Sequence, residues 1–399
     1  MNAPLQEAYI VAAQRLPVGR RQGVFAHVRP DDMLAHAMRA VLAQAPGLDA
    51  NEIDDVIVGC AMPEAEQGMN VARIALLLAG LPERVPGYTL NRFCASGLQA
   101  VADAAQRIRL GEADVMLAGG TETMSLMSQM LGNTPAINPR LFEPDGPRAI
   151  AYGMGLTAET VATRWGIGRE AQDAFAAASH AKALAAQAAG HFRTEIAPYT
   201  VRVRRPGGAD GMARSHERVV DADEGPRADS TPEKLAALKP AFAAHGSVTA
   251  GNSSQMSDGA AMLLLASEAA LKRYALTPLA RFVAYAVAGV APEVMGIGPV
   301  EAIPRVLARA GLRQDDLAWI ELNEAFAAQA LAVIQALDLD PARVNPLGGA
   351  IALGHPLGAT GAIRAATLVH GLRRTGGRYG MVSMCVGTGM GAAGLFEAL

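Results

Sequence analysis

Four turns rich in small residues, far apart in the chain, hold the side chains best suited to covalent and proton-transfer chemistry. Cys94 lies in Asn91-Arg92-Phe93-Cys94-Ala95-Ser96-Gly97, and Asn323 opens Asn323-Glu324-Ala325-Phe326-Ala327. His355 lies in Gly354-His355-Pro356-Leu357-Gly358, and Cys385 precedes Val386-Gly387-Thr388-Gly389-Met390-Gly391. Cys94 stands at or just before a helix N-terminus, where the helix dipole and a nearby histidine would favour a thiolate. It reads as a nucleophile rather than the small core residue that most lone cysteines are. His355 sits within Asn345–Gly361, a run with five glycines, two prolines and no other histidine. Such a loop suits a ring held in one orientation for acid–base work.

Cys385 ends an apolar strand. The GxGxG run after it is no dinucleotide fingerprint, because only eight residues follow Gly391 and no βαβ unit fits. That turn, with Gly387, instead bares backbone N–H groups toward a substrate oxygen, and Cys385 becomes a second acid–base group. Asn323 can hold a water or an oxyanion and Glu324 can orient its neighbours; the alternative is a surface helix cap. Cys60 reads as core.

Regular elements must carry these turns. Residues 8–13, 53–59 and 114–120 read as strands, the last ending in paired glycines. Residues 31–45, 70–78 and the stretch from Leu98 to Ile108 read as helices. The same order returns from residue 299, and both Leu48/Leu312 and Gly97/Gly361 lie 264 positions apart (312 − 48 and 361 − 97). That repetition predicts two similar α/β halves. The Cys94 and His355 loops then occupy equivalent places and can face each other. A helix is expected after Gly361. Between the halves, helices are expected over 158–165 and 171–189, loops over 134–147, and an exposed irregular stretch around Arg202, Arg204, Arg205 and Pro206-Gly207-Gly208. Residues 250–254 read as a turn before a strand at 261–265.

The chain of 399 residues is 51% hydrophobic, 18% charged and only 5% aromatic, with 42 glycines. This is a folded enzyme-like composition whose interior must rely on close backbone packing of small residues. A net charge of −3 gives no reason to expect nucleic acid. No apolar run approaches the ~20 residues of a membrane span. Three widely spaced cysteines imply neither a disulfide framework nor a zinc site. The expected compartment is a reducing cytoplasm.

Together with Gly119-Gly120-Thr121-Glu122-Thr123-Met124-Ser125, Met154-Gly155-Leu156-Thr157-Ala158-Glu159 and Ala250-Gly251-Asn252-Ser253-Ser254, these turns resemble the motifs of the thiolase family over essentially the whole chain. The resemblance implies an α/β, five-layered αβαβα fold. Residues 1–120 with 245–272 would form the first half, 121–244 a loop domain gripping coenzyme A, and 273–399 the second half. It implies a homodimer or homotetramer, no metal, and coenzyme A as substrate rather than a resident cofactor.

For the chemistry, the resemblance implies that Cys94 attacks a 3-ketoacyl-CoA, His355 takes its proton, and Cys385 protonates the departing enolate. One oxyanion hole would use His355 and a water on Asn323, the other the N–H groups of Cys94 and Gly387. Each such donor is worth on the order of 3 kcal/mol. Met154, Phe242, Ser254 and Phe326 would surround the pantetheine, with Arg227 near the nucleotide.

Gly153 stands where biosynthetic thiolases often have a histidine, and Gly251-Asn252-Ser253-Ser254-Gln255, Met295-Gly296-Ile297-Gly298-Pro299 and Leu238-Lys239-Pro240-Ala241-Phe242 look degradative. The expectation is a β-oxidation 3-ketoacyl-CoA thiolase, with an acetyl-CoA acetyltransferase as the alternative. Cys385 argues against a decarboxylating ketoacyl synthase. The presence of Cys94, His355 and Cys385 argues against a non-catalytic lipid carrier.

Overall fold

A computed structural model describes residues 5–126, 138–143, 146, 148–205 and 214–399. The chain opens with β1 (Ala8–Arg15), the short β2 (Gly19–Arg20), α1 (Pro30–Leu42), β3 (Asp55–Gly59) and α2 (Val71–Leu78). Next come β4 (Gly87–Leu90), α3 (Ser96–Arg109) and β5 (Val115–Thr123). The middle holds α4 (Met154–Arg164), α5 (Arg169–Ala188), the antiparallel pair β6 (Tyr199–Arg205) and β7 (Arg214–Val220), and α6 (Pro232–Ala236). Strand β8 (Ser257–Ser267) and α7 (Glu268–Arg273) lead to β9 (Ala280–Gly289), α8 (Gly298–Ala310), β10 (Leu317–Leu322) and α9 (Ala327–Leu337). The chain closes with α10 (Ala350–Leu353), α11 (Leu357–Thr375), β11 (Tyr379–Val386) and β12 (Met390–Ala398).

Local signals explain the element ends. Pro30 sits in the first turn of α1, where its missing N–H costs nothing, and Asp31 and Asp32 face the positive helix end. The Asn70 side chain caps α2 by accepting from Arg73 N–H. The period of the apolar residues in α1 predicts a stripe of Met33 or Leu34, Ala37, Met38, Val41 and Leu42; all are buried except Leu42, which is half-buried. Burying each of the large side chains stabilises the fold by about 2 kcal/mol.

The strands run in the order β10-β11-β12-β9-β1-β8-β5-β3-β4, with β2 on β8. At the centre β1 and β9 share only two residue pairs, Tyr9↔Arg281 and Ile10↔Ala280. On one side of that seam β1–β8 and β8–β5 are antiparallel and β5–β3 parallel. On the other, β9–β12 and β12–β11 are antiparallel and β11–β10 parallel. The pairings repeat, as the sequence spacing predicts.

Helices α3 and α11 pack together between the two strand groups, with Leu98, Val101, Ile108, Ile363, Leu368 and Leu372 in one core. Helices α1 and α2 cover the outer face of the first group, and α8 and α9 that of the second. These are the five layers, αβαβα. The two central helices touch at the repeated glycines: a Cβ on Gly97 would lie 2.8 Å from Gly358 O and Ala362 N, and one on Gly361 would lie 2.3 Å from Leu98 N. Close backbone packing replaces bulky side chains at this crossing.

Three expectations need correction. The stretch around Arg202, expected to be irregular, is a hairpin strand in which Arg202 pairs with Glu217 across β7; the alternation of Val201 and Val203 with arginines is a period-two pattern. Strand β5 does not stop at Gly119-Gly120 but continues to Thr123. Helix α11 starts at Leu357, four residues before Gly361, because its glycines are needed for packing and not to break the helix. Half of 134–147, and all of Pro206-Gly207-Gly208, lie outside the described residues.

Candidate active site

The turn before α3 is held by its own side chains. Phe93 adopts a φ of 44°, a conformation costing a side-chain-bearing residue about 1–3 kcal/mol. Asn91 Oδ1 accepts from Phe93 N–H at 2.7 Å, and Ser96 Oγ accepts from Arg92 N–H while donating to Phe93 O. Cys94 follows directly, its sulfur facing the N–H of Gly387 and its own N–H. These are the two donors that the family resemblance pairs in one oxyanion hole.

His355 sits between the short α10 and α11 and is buried. Its backbone N–H is fixed by Gln255 O and Ser257 Oγ, both at 3.1 Å. The ring's Nδ1 lies 2.7 Å from Thr360 Oγ1 and its Nε2 lies 3.4 Å from Asn323 Nδ2. With the Asn323 amide donating, Nε2 keeps its lone pair and Nδ1 carries the proton to Thr360, the tautomer a base at Nε2 requires. Asn323 Oδ1 is buried without a partner among the described residues, and so keeps an acceptor for a ligand or solvent molecule.

Glu324 is not a surface cap. It is buried and accepts from Ser179 Oγ, Asn345 Nδ2 and Ile351 N–H, tying down the loop that leads to His355.

Cys94, His355, Cys385 and Gly387 line one cavity of about 280 Å³ together with Met154, Phe242, Ser254 and Phe326. Phe242 packs edge-on against Phe326 at 6.1 Å and lies over Gly155, where a Cβ would strike the ring. Eight of the ten residues singled out from sequence therefore meet in one cavity. Asn323 reaches it through His355. Arg227 does not line it; it pairs with Asp229 on the surface of an adjoining cavity of about 370 Å³ that shares Ser253 and Gln255. Sequence reasoning missed Met124, Met256, Met295 and Leu357 in the cavity wall. Met124, Met295 and Leu357 stand inside motifs already singled out, and their neighbours could have pointed to them. Among the described residues no His, Cys, Asp or Glu group is placed to hold a metal, and no helix is long and apolar enough to cross a membrane.

Burial decides the resting protonation. It pushes the Cys94 thiol up to about 11, outweighing the two N–H groups aimed at the sulfur, with Glu122 adding to the rise. The helix-end expectation of a resting thiolate is thus overturned. Burial, and then the nearby Arg364 charge, lower His355 to about 3. Burial, and then Cys94, also raise Cys385. At neutral pH the site holds two thiols and a neutral imidazole, so the Cys94 proton passes to His355 as the sulfur attacks rather than beforehand. Below its pKa the thiolate fraction grows tenfold per pH unit. Cys94 alkylation by iodoacetamide should therefore keep rising from pH 7 to 10; a plateau near pH 8 would count against this.

The family model for the thiolase N-terminal domain matches residues 8–269, and that for the thiolase C-terminal domain matches residues 276–398. The chain is 50% identical over 396 residues to a 3-ketoacyl-CoA thiolase of Bacillus subtilis, covering 98% of this chain and 100% of that one. Two crystal structures superpose with a TM-score of 0.88 over 100% of both chains. They are a Bacillus anthracis acetyl-CoA acetyltransferase, 41% identical, and the human mitochondrial 3-ketoacyl-CoA thiolase, 38% identical.

Proposed function

The chain belongs to the thiolase family, and on that premise we propose that it cleaves 3-ketoacyl-CoA with coenzyme A in the degradative direction of fatty-acid β-oxidation. The observation that carries this is the convergence of Cys94, His355 and Cys385 on one largely apolar cavity. Likeness to a Bacillus subtilis 3-ketoacyl-CoA thiolase over the full chain supports it.

In the proposed reaction, the Cys94 sulfur attacks the 3-keto carbon while His355 Nε2 takes the thiol proton. The bond between carbons 2 and 3 then breaks, leaving an acyl group on Cys94 and the enolate of acetyl-CoA. Cys385 gives its proton to that enolate carbon, and acetyl-CoA leaves. Coenzyme A enters, loses its thiol proton to the site and attacks the acyl-cysteine; shortened acyl-CoA departs and Cys94 regains its proton. The keto oxygen, next to the attacking sulfur, is served by the N–H groups of Cys94 and Gly387, and the thioester oxygen by His355 and a water held by Asn323. Coenzyme A is a substrate here, with its pantetheine along Met154, Phe242, Ser254 and Phe326 and its nucleotide toward Arg227. Residues 121–244 would supply much of that grip between the halves 1–120 with 245–272 and 273–399. The proposal includes a reducing cytoplasm, where both site cysteines stay thiols, and a homodimer or homotetramer.

The likeness to an acetyl-CoA acetyltransferase keeps one alternative in view, condensation toward acetoacetyl-CoA. Methionines 124, 154, 256 and 295 in the wall favour the broader substrate range, since thioether side chains adapt to acyl groups of different length. Thiolysis of 3-ketoacyl-CoA substrates of graded chain length is expected to give comparable or higher kcat/KM on the long chains. Activity confined to acetoacetyl-CoA would assign the protein to the alternative.

A further inference from the structure

The motif Gly119–Ser125 lends Met124 to the cavity wall but no reacting group to the proposed chemistry, yet it places a carboxylate where the two strand groups meet. Glu122, in β5, has no exposed surface. Its Oε2 accepts from Ala61 N–H and Gly358 N–H, each at 2.8 Å. Its Oε1 accepts from Met62 N–H at 3.2 Å and from Gln67 Nε2, and the Cys60 thiol lies 3.7 Å away. Every one of these partners is a donor. An ionised carboxylate satisfies them all, whereas an amide would present its own N–H groups to some of them.

Each partner leads to a reacting side chain. Gly358 belongs to the first turn of α11, whose N-cap Pro356 supplies no side-chain cap. Glu122 provides that missing acceptor from the other half of the molecule. Thr360, in the same turn, holds His355 Nδ1. In the other direction, Ala61 O accepts from Asn91 Nδ2 at 3.0 Å, and Asn91 Oδ1 holds the strained Phe93 next to Cys94. No side chain fits between these segments: a Cβ on Gly358 would lie 2.6 Å from Ala61 N and 2.8 Å from Glu122 Oε2.

We propose that Glu122 is a positioning residue for the acyl transfer, its carboxylate fixing the turn that carries His355 and the turn that carries Cys94 in one register. It touches no reacting atom. Its effect passes through Gly358 and Thr360 on one side and through Ala61 and Asn91 on the other. The proposal rests on Cys94 and His355 being nucleophile and base.

The test compares Glu122→Gln, Asn91→Ala and their double variant with the unmodified protein, with Cys94→Ala as the control for the underlying reading. Glu122→Gln is expected to lower kcat by about 10²-fold, the scale of a small misplacement of reacting groups, while KM for the ketoacyl substrate stays within about threefold. A purely structural role would change the amount of folded enzyme or its melting temperature, without lowering kcat per folded site. Asn91→Ala, an exposed change, should cost about tenfold in kcat at an unchanged melting temperature, and the double variant should be no slower than Glu122→Gln alone. Normal kcat in Glu122→Gln, or losses that multiply in the double variant, would overturn the proposal. If Glu122→Gln does not fold, Asn91→Ala decides alone, and a normal kcat there rejects the relay. Turnover surviving in Cys94→Ala would instead reject the nucleophile reading, so the two failures are separable.

Discussion

Cys94→Ala is expected to lower thiolysis by roughly 10⁴- to 10⁶-fold, the scale seen when a covalent nucleophile is removed, while the protein stays folded. The change deletes one sulfur from a residue that is already partly exposed at the cavity wall, so little packing is lost. Neither neighbour can substitute. His355 is buried and held at Nδ1 by Thr360, away from the attack position that Cys94 occupies, and Cys385 is almost wholly buried with its thiol raised further by Cys94. Mass spectrometry after mixing with acetyl-CoA should find the acetyl group on the unmodified protein and none on the variant. Turnover within about tenfold of normal would remove Cys94 from the mechanism, since no other route in this site accounts for such a rate.

Cys385→Ser is expected to separate the two half-reactions. Serine keeps the volume but is a far weaker acid, so protonation of the enolate carbon should slow by about 10²- to 10⁴-fold. Transfer of an acetyl group from acetyl-CoA to Cys94 exchanges one carbon–sulfur bond for another and moves only the thiol proton, from Cys94 to the leaving coenzyme A, so it should persist. The readout is therefore a pair: ketoacyl-CoA cleavage at steady state, and stoichiometric acetylation of Cys94 in a single turnover. Equal losses in both would mean that Cys385 shapes the cavity rather than handling the carbon-bound proton.

Much of this was legible in the sequence, for identifiable reasons. Cys94, His355 and Cys385 stand in turns whose glycines and prolines leave few conformations open, so their positions relative to the neighbouring helices could be read directly. The 264-residue spacing of Gly97 and Gly361 announced two central helices in equivalent places, and the structure makes those glycines the contact point. What escaped depended on tertiary surroundings. The resting state of Cys94 was misjudged because a helix-end argument sees the local dipole but not the desolvation imposed by neighbours distant in the chain. The start of α11 was set too late because glycine lowers helix propensity, whereas here Gly358 and Gly361 are required by the backbone across the interface. The hairpin at β6 and β7 was hidden by its arginines, whose alternation with valine carries the strand signal. Glu122 gave no chemical sign at all, since its meaning lies in five donors drawn from other turns.

The place of β8 between β1 and β5 has a consequence for how this molecule comes into being on the ribosome. A full 134 residues separate the end of β5 at Thr123 from Ser257 (257 − 123). At ~5–20 residues per second, β1 and β5 wait roughly 7–27 s after β5 is made for the strand that joins them. Throughout that interval the inner sheet edges of the first half stand unpaired and apolar, open to misassociation with other nascent chains. The last strand to arrive must slide in between two that are already present. Nascent-chain length, more than overall stability, should therefore govern how much of this protein reaches its native state.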